Sequence, residues 1–318
     1  MHKLIVLIVG MLWSVVLLSG CTQQLDNQNN IQIVASFYPL AFFAQQIGGE
    51  YVTVTQLIPD NTELHTWEPT VTHITRATTA DILIYNGAQL DPWFETDILP
   101  NINQSGKLIV ETTKGIPLLE AEHDEHDADH EHNDTHHHHG GYDPHTWISP
   151  FIAMQQAEKI YAAIIQKDAA HAEYYTQRWN QVRQQFMTLD TAFQQELSTK
   201  QKDVIFVSHA AYGYLADRYG FQQHGVIGLS ADEQPSAQTI ATLLDTMIEH
   251  QIYVVYVDPV YSHRYAQTLK DSLESKTSQN VQVLTLYLMS GEVDGLNYFE
   301  QQEKNLENLK IGLQASQH

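Results

Sequence analysis

Cysteine is all but missing from this chain. Cys21 is the only one in 318 residues, so the fold has no internal disulfide and no thiolate metal site. Any metal centre must be built from nitrogen and oxygen donors. Basic residues are scarce as well: Lys and Arg total 16 against 38 Asp and Glu, a formal charge of −22. A surface of that sign repels nucleic acid, which removes it as a partner, and it concentrates cations nearby. The one long apolar run, residues 4–18, is too short for a comfortable bilayer span. There is no helical H-E-x-x-H pattern and no nucleophile elbow, so the usual marks of zinc proteases and serine hydrolases are lacking. With 43% hydrophobic and 17% charged residues the chain is globular in composition, and its length suits two ordinary domains.

The amino terminus reads as a targeting segment. Lys3 gives a positive start, residues 4–18 are apolar, and the run ends Leu18-Ser19-Gly20-Cys21. A small-residue pair before a lone Cys resembles the bacterial lipoprotein cleavage box. Residues 1–20 are therefore expected to be a lipoprotein signal peptide, with Cys21 lipidated as the first mature residue. Residues 21–30 (CTQQLDNQNN) form a polar tether. The expected location is outside the cytoplasm, lipid-anchored to the cell membrane through Cys21.

Beyond the tether, short β-branched runs alternate with helical patterns. Residues 31–37 (IQIVASF), 51–58 (YVTVTQLI), 81–86 (DILIYN) and 107–111 (KLIVE) read as strands, with helices expected at 41–47 and 71–79. The grammar is β-α-β-α-β-α-β, that of a parallel sheet with flanking helices. Residues 151–200 contain neither Gly nor Pro and carry apolar residues at helical spacing. They read as one helix to about residue 167 and a long spine helix over about 169–198. Alternation then resumes, with strands at 203–208, 221–227, 253–257 and 281–288 and helices between and after them. The expected fold is α/β: an N-terminal lobe (31–150), a helical linker (151–200) and a C-terminal lobe (201–318).

Histidine is where the chain is rich. Residues 120–140 form a polar, low-complexity loop carrying His123, His126, His130, His132, His136, His137, His138 and His139 among Asp and Glu. Neutral imidazole is a common zinc ligand, and many on one tether make an exchangeable metal trap. Three further histidines share another context. His65 follows a strand and loop in the first half, His145 closes the histidine loop in D-P-H-T-W, and His209 follows a strand in the second half. Ligand sites gather at the carboxyl ends of strands in open α/β sheets. A cleft between lobes would bring such ends together, and three converging imidazoles are the makings of a tetrahedral zinc site. Glu68 and Asp143 are candidate partners that would orient those rings.

At this point the chain resembles a known family, the zinc and manganese substrate-binding proteins of bacterial ABC importers (ZnuA-like and TroA-like). The likeness is carried by V-A-S-F-Y-P-L (34–40), H-T-W-E-P-T (65–70), L-I-Y-N-G (83–87), D-P-H-T-W-I-S-P (143–150), V-S-H-A-A-Y-G-Y-L (207–215) and Y-F-E-Q-Q-E-K-N-L (298–306). The resemblance implies two α/β lobes joined by one long helix, with a metal buried between them on His65, His145 and His209. It implies a monomer that captures Zn2+, with Mn2+ the lesser candidate, and passes it to an ABC permease and its ATPase. In that family a third imidazole goes with zinc and a carboxylate there with manganese.

One departure stands out: the family's fourth, acidic position falls on Ser290, and Glu292 lies two residues on. Glu292, a water, or a histidine of the loop would complete the shell. The alternative function is a zinc-dependent hydrolase on the same three histidines, with Glu292 or Asp258 as its base. A third class is a surface adhesin or a metal buffer without a transporter. On the family reading, the loop gathers zinc and hands it to the cleft. Binding should then fade on acidification, from the ordinary imidazole value of about 6.5.

Overall fold

The computed structural model describes residues 30–120, 141–228, 235–261 and 263–315. Cys21, the signal segment, nearly all of the tether and the loop histidines His123 to His139 lie outside the described residues.

The first sheet has four parallel strands in the order β2-β1-β3-β4: β1 (Ile31–Ala35), β2 (Val52–Gln56), β3 (Ile82–Tyr85) and β4 (Leu108–Glu111). Every residue of β3 is buried, as expected of a central strand covered on both faces. Helix α1 (Tyr38–Gly48) begins three residues earlier than its apolar pattern suggests, because Pro39 sits at the first turn, where its missing N–H costs nothing. Helix α2 (Val71–Thr78) is closed at its start by a capping box between Thr70 and His73. The third crossover holds no regular α-helix. A π-helical turn at Phe94–Ile98 and a 3-10 turn at Leu99–Asn101 replace it, with Pro92 and Pro100 interrupting the N–H ladder.

The second sheet repeats the plan in the order β6-β5-β7-β8, again all parallel. Its strands are β5 (Val204–His209), β6 (Gln222–Ile227), β7 (Val254–Val257) and β8 (Gln282–Thr285). Between the sheets lie α3 (Pro150–Lys167) and α4 (Ala172–Leu197). The C-terminal lobe adds α5 (Gly213–Tyr219), α6 (Ala237–His250), α7 (Arg264–Thr277) and α8 (Tyr298–Gly312). Gly220 ends α5 in the left-handed conformation, with φ 70°. The fold class is thus the one read from the pattern: two parallel α/β sheets and one long helix.

At 26 residues α4 is about 39 Å long. Tyr175, Trp179, Val182, Phe186, Leu189, Phe193 and Leu197 form its buried stripe, and it packs on α1, α3 and α8. Arg178 donates to the Gln46 carbonyl of α1 (2.7 Å). Near the other end Asp190 takes both arms of Arg218 from α5 and the Tyr219 hydroxyl. Each lobe is therefore bolted to one rod. Trp147, fully buried, joins them again: its indole donates to the Leu288 carbonyl (2.7 Å), and its own carbonyl accepts from the Tyr298 hydroxyl (2.7 Å). One hydrophobic cluster runs unbroken from Ile31 to residues of α8, and a smaller one fills the space beneath α6 and α7. Among the described residues no helix is long and apolar enough to cross a membrane. Glu120 and Tyr142 form an isolated antiparallel bridge at the two ends of the histidine loop.

Candidate metal centre

His209 is the last residue of β5, in the middle of the second sheet, paired with Ile227 of β6. The strand places its imidazole at the carboxyl edge of that sheet. The β-pattern of residues 203–208 stops one residue short of it.

His145 stands in the segment that leads to α3, and buried polar groups hold that segment on both sides. Asn86, off the end of β3, donates to the Pro144 carbonyl (3.0 Å) and accepts from the Thr146 hydroxyl (3.2 Å). Gln156 of α3 donates to the same Asn86 oxygen (2.9 Å) and to the Thr112 hydroxyl (2.9 Å). Asn86, Thr146, Gln156 and Thr112 are all fully buried, so these bonds form without competition from water. Asp143 then accepts from the His145 backbone N–H (2.9 Å) and lies 2.8 Å from its Nδ1. That contact puts the ring proton on Nδ1 and turns the Nε2 lone pair toward the cleft.

His65 sits in the loop after β2, and Glu63 shapes that loop. Its two oxygens accept from the backbone N–H of His65 (3.0 Å), the N–H of Thr66 (2.8 Å) and the Thr66 hydroxyl (2.8 Å). Burial works against the Glu63 charge, but these donors and the nearby imidazole outweigh it and hold the carboxyl below its ordinary value.

The three rings converge. One ligand atom from each of His65, His145 and His209 lies within 4.8 Å of the others. His65 Nε2 and His145 Nε2 are 3.1 Å apart. Two nitrogens bound tetrahedrally to one zinc stand about 3.3 Å apart, so the spacing suits a shared ion. His145 and His209 are each 1% exposed, while His65 is half-buried. Burial pushes His145 down to about 3 and Asp143 up to about 7, the latter opposed by the His145 N–H and by His209. Both shifts reflect the cost of isolated buried charge; a bound dication would favour the ionised Asp143 and the neutral His145. The onset of acid sensitivity near 6.5 read from sequence does not apply to His145, and Asp143 adds a proton acceptor near neutrality.

A family model for ZnuA, the periplasmic component A of a zinc-uptake complex, matches residues 33–312. The chain belongs to the ZnuA family. It is 34% identical over 288 residues to the high-affinity zinc uptake system protein ZnuA of Bacillus subtilis (strain 168), covering 90% of this chain and 88% of that one. Among solved structures it resembles the metal-dependent lipoprotein YcdH of B. subtilis, with TM-score 0.73 and 29% identity, over 89% of this chain and 99% of that one. It also resembles the Zn(II)-bound ZnuA-like domain of Streptococcus pneumoniae AdcA, with TM-score 0.72 and 26% identity, over 89% and 99% of the two chains.

Two residues named from sequence stand elsewhere. Glu292 is exposed and lies outside the group of clustered ligand atoms. The reason is local: Asn61 takes the carbonyls of Ser290 and Glu292 by its N–H and side-chain amide (3.2 Å each), fixing that turn by its backbone. Glu68 is exposed, and the carboxylate that supports the ZnuA-like His65 loop is Glu63. An acid two residues before a histidine carries no distinctive sequence signal. Asp258, cast as a hydrolytic base, is buried, with its oxygens taken by the N–H groups of Val260 (2.8 Å) and Leu288 (2.7 Å). It braces β7 to the segment after β8 and is poorly placed to accept a proton from water.

Proposed function

We propose that this member of the ZnuA family captures zinc between its lobes on His65, His145 and His209 and delivers it to the permease of an ABC importer. The observation that carries the reading is the convergence of those imidazoles, drawn from both halves of the chain, within reach of one ion. A nitrogen-only donor set suits zinc better than manganese, which favours oxygen ligands. Asp143 supplies the negative charge behind His145 without itself becoming a ligand. The burial of Asp258, with each oxygen held by a backbone N–H, and the exposure of Glu292 favour capture over hydrolysis. Lipidation of Cys21 would hold the protein beside the permease on the outer side of the membrane. The loop histidines His123, His126, His130, His132 and His136 to His139 would gather zinc weakly before it enters the cleft.

The test is zinc titration of the full mature chain against a competing chelator. His209→Ala and His145→Ala should each weaken one tight site by orders of magnitude. Tight binding that survives both changes would remove the cleft from the account.

A further inference from the structure

The loop that carries His65 leaves the N-terminal lobe but is fastened to the other one. Asn61 donates its backbone N–H to the Ser290 carbonyl and its Nδ2 to the Glu292 carbonyl, each at 3.2 Å. Between those carbonyls lies Gly291, where a Cβ would come within 2.5 Å of the Asp60 Cβ and 2.8 Å of the Asn61 nitrogen. Such a close approach admits no side chain. Asn61 itself has φ 58°, the left-handed region that Asn enters more readily than most residues.

A second attachment, at Glu63, lies two residues from the first. Tyr261, in the loop after β7, donates its hydroxyl to Glu63 Oε1 (3.2 Å), the same oxygen that accepts from the His65 N–H. The Tyr261 ring packs 5.0 Å from the His209 ring. Glu63 therefore ties the backbone of one imidazole to a side chain resting on another. His65 is also the least buried of the three, so it is the ring a departing ion can shed with least rearrangement.

We propose that Asn61 and Tyr261 are positioning residues that hold His65 in the cleft and thereby set how fast a bound cation leaves. This rests on the reading of His65, His145 and His209 as the ligands. The bonds cross between lobes and form only when the His65 loop is seated. Losing one should raise the dissociation rate and leave the association rate alone. The neutral Asn61 bond corresponds to roughly a two- to tenfold change, and the Tyr261 bond, made to an ionised carboxylate, to roughly ten- to a hundredfold.

Two substitutions separate these contacts from the general fold. Asn61→Gly keeps the left-handed backbone and the bond to Ser290 while removing the bond to Glu292. Tyr261→Phe keeps the ring on His209 and removes the hydroxyl. The measurement is stopped-flow transfer of zinc from the full mature chain to an excess of chromogenic chelator, with the Co2+ ligand-field spectrum as a readout of coordination. Asn61→Gly should release zinc roughly two- to tenfold faster and Tyr261→Phe roughly ten- to a hundredfold faster, each at an unchanged association rate and with a weakened cobalt band. In a His65→Ala background, Asn61→Gly should add nothing. Release rates equal to wild type, or an undiminished Asn61→Gly effect without His65, would overturn the proposal. A wild-type chain lacking any tight site would instead sink the reading of the ligands.

Discussion

Asp143→Asn is the sharpest probe of the cleft. In the metal-free protein, burial raises the Asp143 carboxyl to about 7. It is therefore partly protonated near neutrality, more so at pH 6 and less so at pH 8. When zinc takes His145 Nε2, the Nδ1–H donates to an ionised carboxylate, so the Asp143 proton must leave. His145 contributes nothing in this range, since burial holds it near 3. The metal-free state binds the proton and the zinc state does not. Affinity therefore rises with pH up to about 7 on this account and levels off above it. Asparagine cannot take up that proton, and loss of the carboxylate behind a ligating ring costs about 10- to 100-fold in affinity. Zinc titration calorimetry in two non-chelating buffers of unlike ionisation enthalpy counts the protons released. Wild type should release more protons than Asp143→Asn at pH 6, and that excess should shrink at pH 8. Equal proton counts across that range, or a larger difference at pH 8 than at pH 6, would refute the argument.

Other outcomes follow from the same geometry. Deleting residues 122–139 should leave one tight zinc site and abolish the weak ones, as read by titration; loss of the tight site would show that the loop is part of it. Asn86→Ala leaves the Pro144 carbonyl and the Thr146 and Gln156 donors without their partner. It should cost about 3 kcal/mol in denaturant unfolding and weaken zinc binding as well. Trp147→Phe keeps the ring contact with Phe37 but strands the Leu288 carbonyl. It should cost about 1–3 kcal/mol and lower the melting temperature of the metal-free protein.

Much of this architecture is legible in the residues alone, and the reason is periodicity. Runs such as ILIY in β3 and VIFV in β5 are apolar because both faces are covered, and the spine helix shows its stripe at three- and four-residue spacing. His65, His145 and His209 could be singled out because each stands at a strand's end or a lobe junction, where the chain has few structural uses for an imidazole. Contacts between distant polar residues leave no such trace. Glu63 acts through the backbone of His65 and through Tyr261, 198 positions away. Asn61 engages Ser290 and Glu292 through carbonyls that every residue possesses. For the same reason Glu292 looked suitable by its chemistry, although the turn that holds it leaves its side chain exposed.

The bridge between Glu120 and Tyr142 has an evolutionary and practical meaning. Where a stretch of chain departs and returns at neighbouring points, its length is nearly irrelevant to the rest: doubling it costs only about 0.6 kcal/mol of closure entropy. Descendants of this gene can lengthen or shorten that insert at little cost to the scaffold. An engineer has the same liberty, and a fluorescent reporter spliced in at that junction should leave the described fold in place.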